Sequence, residues 1–363
     1  MTNNKNFYIT NNQDLEFVLD LILKAKAVAI DTEFTREKTY YPILSLIQIA
    51  VKNAGELKSF IVDGLADIDL NPLFKIIADK KITKILHSSL QDLQIFYQKS
   101  NKAPLGVADT QILANFCGFG FNVGYSNLVE SFFQKEIDKT QQRSDWQKRP
   151  LSQKQIDYAL SDVLYLEEMH EKLLEILDEK GRKNWYYEEV KNFTDKAIIQ
   201  LDEDLFKRFS FKRKTPAQIA QIKKLILWRE KWAQKLDLPR QHFLKDEAIE
   251  RMVVFGDFNF NFDKKALAEA KAILAEIDEA PKKIIREDAD EGRSFFMNSE
   301  QKNLYKEAKK LIAEIAREEN FKEQFLITSD GLKSVICGYK KTEQLLAGWR
   351  YQLFGERLNQ LIS

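Results

Sequence analysis

The sequence predicts an α/β domain followed by two small all-α domains, with boundaries at about 1–202, 203–284 and 285–363. Three observations predict it. Apolar strand-like runs alternate with helical periods through the first half, no convincing strand pattern occurs beyond Asp202, and a charged stretch, Pro281–Arg293, divides the helical remainder. A chain of 363 residues is long enough for two or three domains of roughly 100–200 residues each.

Taken in order, Val28–Asp31, Leu44–Val51 and Ser59–Asp63 read as strands, and Lys84–His87 as a shorter one after a helical stretch around Pro72–Ala78. Ser152, with Gln155 three residues on, makes a helix start that leads into Ile156–Leu174 at helical spacing. Beyond Asp202, Thr215-Pro216-Ala217 is a helix entrance with Pro in the first turn, and Ile219, Ile222, Leu225, Ile226 and Trp232 continue the helix. Asp237-Leu-Pro-Arg240 is a turn, and a last helical segment runs from about Glu300 to Ile362. No internal repeat between the two helical parts stands out from the sequence.

Composition bounds the function classes. With 44% hydrophobic and 31% charged residues, a sizeable core is available. The net charge of +1 decides nothing about a nucleic-acid partner, but its distribution does. Leu205–Arg251 carries 13 Lys and Arg against 5 Asp and Glu, a local net of +8. Cys117 and Cys337 are the two cysteines, far apart, which excludes a cysteine zinc site and a disulfide scaffold and suits a reducing compartment. Met1–Asn6 lacks the apolar core of a signal peptide, and no run of about 18 apolar residues occurs. The expected address is the cytoplasm.

Three features carry chemistry. Asp31-Thr-Glu33 ends an apolar strand, and residues two apart on a strand share a face, so both carboxylates point together. Each raises the other's pKa, and a divalent cation is the usual remedy; oxygen ligands select Mg²⁺ or Mn²⁺ over zinc. Tyr158 and Asp162 lie four apart on one helical face. Asp92, in Ser88-Ser-Leu-Gln-Asp92, sits at a strand-to-helix transition. Singly, each reads as an ordinary surface or helix-start residue.

Together they resemble the ribonuclease D family, the tyrosine-bearing branch of the DEDD exonucleases. Asp31-Thr-Glu33-Phe-Thr-Arg-Glu-Lys-Thr39-Tyr-Tyr-Pro42-Ile-Leu-Ser-Leu-Ile-Gln48 is similar to its first motif, and His87-Ser-Ser-Leu-Gln-Asp92-Leu to its second. Arg143-Ser-Asp-Trp146-Gln-Lys-Arg149-Pro-Leu, leading to Tyr158-Ala-Leu-Ser-Asp162, is similar to the third. The resemblance covers roughly residues 7–200 strongly and the remainder more loosely. It implies a ribonuclease H-like mixed sheet flanked by helices and a 3′→5′ exoribonuclease with two divalent ions, Mg²⁺ or Mn²⁺. Asp31 would bridge both ions, Glu33 and Asp162 complete the shell of one, Asp92 support the other, and Tyr158 orient the attacking water. The implied substrate is RNA with a single-stranded 3′ end, transfer-RNA precursors foremost, cut by a monomer that releases 5′-mononucleotides.

For holding a strand, Phe34 is placed where a terminal base could pack, with Tyr40 and Tyr41 a little further on. Arg143, Lys148 and Arg149 are candidate phosphate contacts, His87 is a candidate neighbour of the site, and Trp146 reads as packing. Asp109, in Ala-Asp109-Thr-Gln, is first a helix cap. Lys207–Arg251, with Trp228-Arg-Glu-Lys-Trp232, is similar to the helical nucleic-acid-binding module shared by RecQ-type helicases and ribonuclease D, the HRDC module. It departs from that module at Gly256–Asp263, where a Gly-containing helical hairpin is usual. The last segment resembles a second HRDC-like domain, with Trp349 and Phe354 as core. Rival readings are a DNA-directed 3′→5′ exonuclease and a catalytically silent RNA-binding protein. A helicase is excluded, because no GxxxxGK[ST] phosphate loop is present.

Overall fold

A computed structural model describes residues 7–198, 205, 206, 209, 211, 214–260, 263–278 and 297–362. The charged stretch Pro281–Arg293 and four cations of the basic stretch (207, 208, 212 and 213) lie outside them. The chain forms two compact units. The first combines residues up to 35, 44–199 and the C-terminal segment from 296, and the second combines Arg36–Ile43 with residues 200–295.

The first unit is built on a six-stranded mixed sheet in the order β1-β4-β3-β2-β5-β6. Its strands are β1 (Tyr8–Ile9), β2 (Ala27–Thr35), β3 (Ile43–Asn53), β4 (Glu56–Asp63), β5 (Thr83–Leu86) and β6 (Val107–Asp109). β2, β5 and β6 run parallel in a row, Ala29 opposite Ile85 and Ile85 opposite Ala108, while β3 and β4 form an antiparallel hairpin. The four longer strands follow from their apolar runs. β1 and β6, of two and three residues, are too short to show a period.

The two faces of the sheet differ. One face buries Val28, Ile30, Ile47 and Ile49 against α1 (Asn12–Lys24), α2 (Asn71–Ile77) and α3 (Leu90–Ser100). The other is lined by small residues, Ala29, Ala50 and Ala108, against Val163 and Leu166. Beside Ile85 of β5, these three alanines leave room for helices to lie close on the strands. α6 (Gln153–Leu164) and α7 (Leu166–Glu179) do so. Asp31 and Glu33 extend this alanine face toward α6.

The Ile156–Leu174 period divides at Tyr165 into these two helices. The cause is a side chain inserted into the backbone ladder: the Tyr125 hydroxyl donates to Ser161 O (2.8 Å) and accepts from the Tyr165 N–H (3.3 Å). It replaces the one helical bond that would join those groups, which turns the chain. The α6 start is a full capping box between Ser152 and Gln155.

A third layer packs α4 (Thr110–Cys117), α7 and α8 (Lys183–Ile198) with the helices Ser299–Glu318, Glu323–Leu326, Ser329–Ile336 and Glu356–Ile362. Phe116, Leu173, Tyr186, Ile312, Ile315, Phe325, Trp349 and Phe354 share this core. Arg182 of the α7–α8 turn reaches Phe116 O (3.0 Å) and the Glu319 carboxylate (2.5 Å).

Apart from the segment Arg36–Ile43, the regular elements of the second unit are helices in its described residues. Thr215 and Gln218 form the capping box of the helix Pro216–Leu236, with Pro in its first turn. Arg240–Phe243, Asp246–Phe255 and Lys264–Asp278 follow, and Gly256 ends its helix at φ 62°, a conformation that costs glycine little. Leu225, Ile226, Trp228, Trp232, Ile249 and Met252 form the core. The segment Arg36–Ile43 belongs to this unit, with the Tyr40 hydroxyl donating to Glu230 and accepting from Gln234 (3.0 Å).

Candidate active site and metal centre

Three side chains converge where β2 meets α6. Asp31, Glu33 and Asp162 each offer a carboxylate oxygen, and these atoms lie within 4.8 Å of one another. Strand alternation puts the first two on the α6 face of β2. Helical spacing puts Tyr158 and Asp162 on the α6 face toward β2, with Ala159 and Val163 buried between. Tyr158 hydrogen-bonds Asp162, and its ring lies 5.9 Å from that of buried Trp146.

Asp92 reaches the same place from the opposite layer. It sits in the first turn of α3, 6% exposed, and accepts a hydrogen bond from the Thr32 hydroxyl. Thr32 lies between Asp31 and Glu33 and points to the other face, so one tripeptide serves both layers of the site. Asp92 is outside the trio within 4.8 Å, yet of the three neighbouring carboxylates its charge acts most strongly on Asp31.

The electrostatics call for a cation. Burial, then the charges of Asp92, Asp162 and Glu33, hold the Asp31 carboxyl well above the usual carboxylate range. Burial and then Asp162 and Asp92 push Glu33 up to about 9. Burial raises Asp92 to about 7 against the hydrogen bond from Thr32, and Asp162 to about 7 against that from Tyr158. Without a counter-charge, Asp31 and Glu33 keep their protons at neutral pH, and Asp92 and Asp162 are only partly ionised. A set of hard oxygen donors this crowded fits divalent cations of the Mg²⁺ and Mn²⁺ type. Burial, followed by Asp162, Glu33 and Asp31, also raises the Tyr158 phenol, so it stays a proton donor at neutral pH.

The expected strand-holding residues separate into groups. Arg143 and Lys148 are exposed beside the third motif. Phe34 is half-buried, packed on the α1–α3 core. Arg149, expected as a phosphate contact, is engaged within the fold. Its Nε and Nη2 grip Asp63 (2.6 and 2.7 Å), Nη1 reaches Trp146 O and Lys148 O, and Nη2 also reaches Ser45 O. All five of its donors are thereby used inside the protein. His87 is engaged likewise, with its Nδ1 2.9 Å from Thr110 Oγ1 and its Nε2 3.1 Å from Val123 O. Tyr40 is buried in the second unit beneath Arg240, whose guanidinium lies 5.6 Å from its ring, so it packs rather than stacks a base; Tyr41 is 37% exposed.

Sequence reasoning missed Thr32 and Tyr125. Only the middle position of Asp-Thr-Glu pointed to the first, and nothing in the sequence places Tyr125 beside Ser161. Among the described residues, no helix is long and apolar enough to cross a membrane.

A mixed sheet with carboxylates gathered at the ends of its parallel strands defines a class, the 3′–5′ exonuclease domains, and the model of that family matches residues 6–178. The match extends further in full-length relatives. A ribonuclease D of Bartonella henselae is 31% identical over 98% of this chain and 89% of its own. One of Gluconacetobacter diazotrophicus is 39% identical over 66% of this chain and 61% of its own. The crystal structure of Escherichia coli RNase D, described as an exoribonuclease involved in structured RNA processing, superposes with a TM-score of 0.82 at 26% identity, covering 99% of this chain and 98% of that one. The chain belongs to the ribonuclease D family, and its activity is that of a metal-dependent 3′→5′ exoribonuclease.

Proposed function

We propose that Asp31, Glu33, Asp92 and Asp162 hold two divalent ions, Mg²⁺ or Mn²⁺, and that Tyr158 orients the attacking water. The observation that carries this reading is the convergence of Asp31, Glu33 and Asp162 within 4.8 Å, with Asp92 tied to Thr32 between them. The chemistry such ions supply when bound is a lowered pKa for the attacking water and an offset to charge on the departing 3′-oxygen. The chain's own residues do the rest. Asp31 feels the charge of all three other carboxylates, Asp92 most strongly. Thr32 fixes the rotamer of Asp92. Tyr158, a phenol that keeps its proton, donates one hydrogen bond, here to Asp162, and would be free to position water were Asp162 to hold a cation.

The substrate in this reading is an RNA with a single-stranded 3′ end, transfer-RNA precursors foremost, shortened one 5′-mononucleotide at a time by a monomer in the cytoplasm. The free thiols of Cys117 and Cys337 suit that reducing address. Exposed Arg143 and Lys148 are the phosphate contacts of this reading, with Phe34 against the terminal base. The deciding experiment incubates purified protein with a 3′-extended transfer RNA, with and without Mn²⁺, at single-nucleotide resolution. A metal-dependent ladder that stops near the acceptor stem is expected. In Asp31→Asn the ladder disappears while RNA binding persists, and undiminished release by that variant removes the mechanism.

A further inference from the structure

The Asp109 carboxylate has no exposed surface and receives five hydrogen bonds. Two come from Gln111 N (2.8 Å) and Ile112 N (3.1 Å), which is the helix-capping arrangement at the start of α4. The other three come from a different corner of the sheet: Ser88 N (3.3 Å), Ser89 N (2.8 Å) and Ser89 Oγ (2.8 Å). Its neighbour Thr110 completes the pattern. The Thr110 hydroxyl donates to Leu86 O (3.0 Å) and lies 2.9 Å from His87 Nδ1. Four consecutive residues of the β5–α3 connection, Leu86 to Ser89, are therefore held by two residues of the β6–α4 corner.

This connection needs holding. Ser88 adopts a left-handed backbone at φ 57°, which a residue with a Cβ takes only when its surroundings impose it. Ser89 occupies the cap position of α3 but makes no side-chain cap bond, since its hydroxyl is turned to Asp109 instead. The direction in which α3 leaves the sheet is set at these two residues. Asp92 lies three residues on, in the first turn, and closes on Thr32 of β2.

We propose that Asp109 is a positioning residue for the metal-binding carboxylate Asp92, acting through the Ser88–Ser89 corner that it holds from the end of the neighbouring strand β6. This rests on the reading of Asp92 as a metal ligand given above. Helix capping alone accounts for two of the five bonds. The other three run to the segment that aims Asp92, and the two from Ser89 use the second carboxylate oxygen, Oδ2, which capping leaves free.

Three substitutions in the full chain test it: Asp92→Asn, Asp109→Asn and Ser89→Ala. The measurements are Mn²⁺ binding to the RNA-free protein by electron paramagnetic resonance, kcat and KM on a 3′-extended RNA, and the thermal midpoint. An asparagine at 109 keeps one oxygen for the α4 cap but sets an amide N–H₂ against the donors of Ser89. Asp109→Asn is expected to weaken Mn²⁺ binding and lower kcat by about ten- to a hundredfold, as loss of an outer support of a metal ligand does, with KM for RNA unchanged and partial recovery at high Mn²⁺. Ser89→Ala, which removes one donor and leaves Asp109 in place, should move the same quantities a few-fold in the same direction. A folded Asp109→Asn protein with wild-type Mn²⁺ affinity overturns the proposal. If that variant does not fold, wild-type Mn²⁺ affinity in Ser89→Ala overturns it instead. If Asp92→Asn itself binds Mn²⁺ like wild type, the ligand reading of Asp92 fails first and this proposal with it. If only Asp92→Asn is impaired, the ligand reading stands and Asp109 is a helix cap.

Discussion

The helical stretches 214–278 and 297–362 run through one succession of elements and bury them differently. Each opens with a capping box on a long helix, of 21 residues from Pro216 and 20 from Ser299. Each then passes a left-handed residue, Asp237 or Asn320, and a four-residue helix that closes on Phe-Leu, Phe243-Leu244 or Phe325-Leu326. A further helix follows, with a left-handed glycine after it, Gly256 or Gly338. The first stretch folds its aromatics inward, Trp232 stacked on Phe243 at 6.2 Å, and forms a core with its own residues. The second gives its apolar face to the nuclease layers, where Phe116 of α4 meets Phe325 at 5.0 Å and Trp349 at 5.1 Å. One element order thus yields a self-contained module in one place and a wall of the catalytic core in the other. What differs is where the large apolar side chains point.

The polar contacts follow the same division. In 214–278 much of the basic charge is spent locally: Arg229 on Asp246 (2.5 Å), Arg240 on Glu230 (2.5 Å) and Lys224 on Glu276 (3.3 Å). In 297–362, Arg350 reaches instead to Glu189 of α8 (2.5 Å), and the Trp349 backbone N–H donates to Glu188. Gly348 takes φ 60° there, a left-handed conformation that costs glycine little, and a Cβ on it would displace the Glu188 carboxylate to which the Trp349 N–H donates.

The largest expected effect breaks the shared core. Trp349 has no exposed surface, stacks on Trp185 at 5.5 Å and touches Phe116. Trp349→Ala should cost about 3–5 kcal/mol and lower the unfolding midpoint of the nuclease unit, with exonuclease activity lost in step on heating. Trp232→Ala comes next, at the lower end of that range because Trp232 is 7% exposed. Calorimetry should show it shifting the transition of its own unit while the nuclease transition stays in place. Were both variants to move a single common transition equally, the distinction between module and wall would be lost.

How much of this was legible varies with the physical signal. The long strands and the capping boxes at Ser152 and Thr215 were readable because they rest on local alternation and short-range hydrogen bonds. The convergence of Asp31, Glu33 and Asp162 was readable only through motif resemblance, since no local rule brings residue 162 to residue 31. The internal partners of Arg149 and His87 were not legible, because a charged or titratable side chain next to a motif looks the same in sequence whether its partners are phosphates or Asp63 and Val123. The similarity of the two helical stretches lies in the order of caps, left-handed residues and Phe-Leu pairs, while the core residues differ, so no residue-by-residue repeat stands out.

The smallest expected effect sharpens the comparison by pH. Burial works to raise the Glu189 carboxyl, but the hydrogen bond and charge of Arg350 and the Trp349 donor outweigh it and hold its pKa below the ordinary glutamate value. A carboxyl depressed in the folded state stabilises at pH above its unfolded value, near 4.3, and that contribution disappears as pH falls through the folded pKa. The nuclease unit should therefore lose a part of its stability in mild acid that Glu189→Gln removes. Stability measured by urea unfolding from pH 6 down to pH 3 should show a shallower decline for the variant than for the wild type. Parallel curves would mean that Arg350 and Trp349 do not tie the C-terminal wall to α8 through this carboxylate, leaving the shared apolar core, the Arg182–Glu319 pair and the bond to Glu188 to hold it.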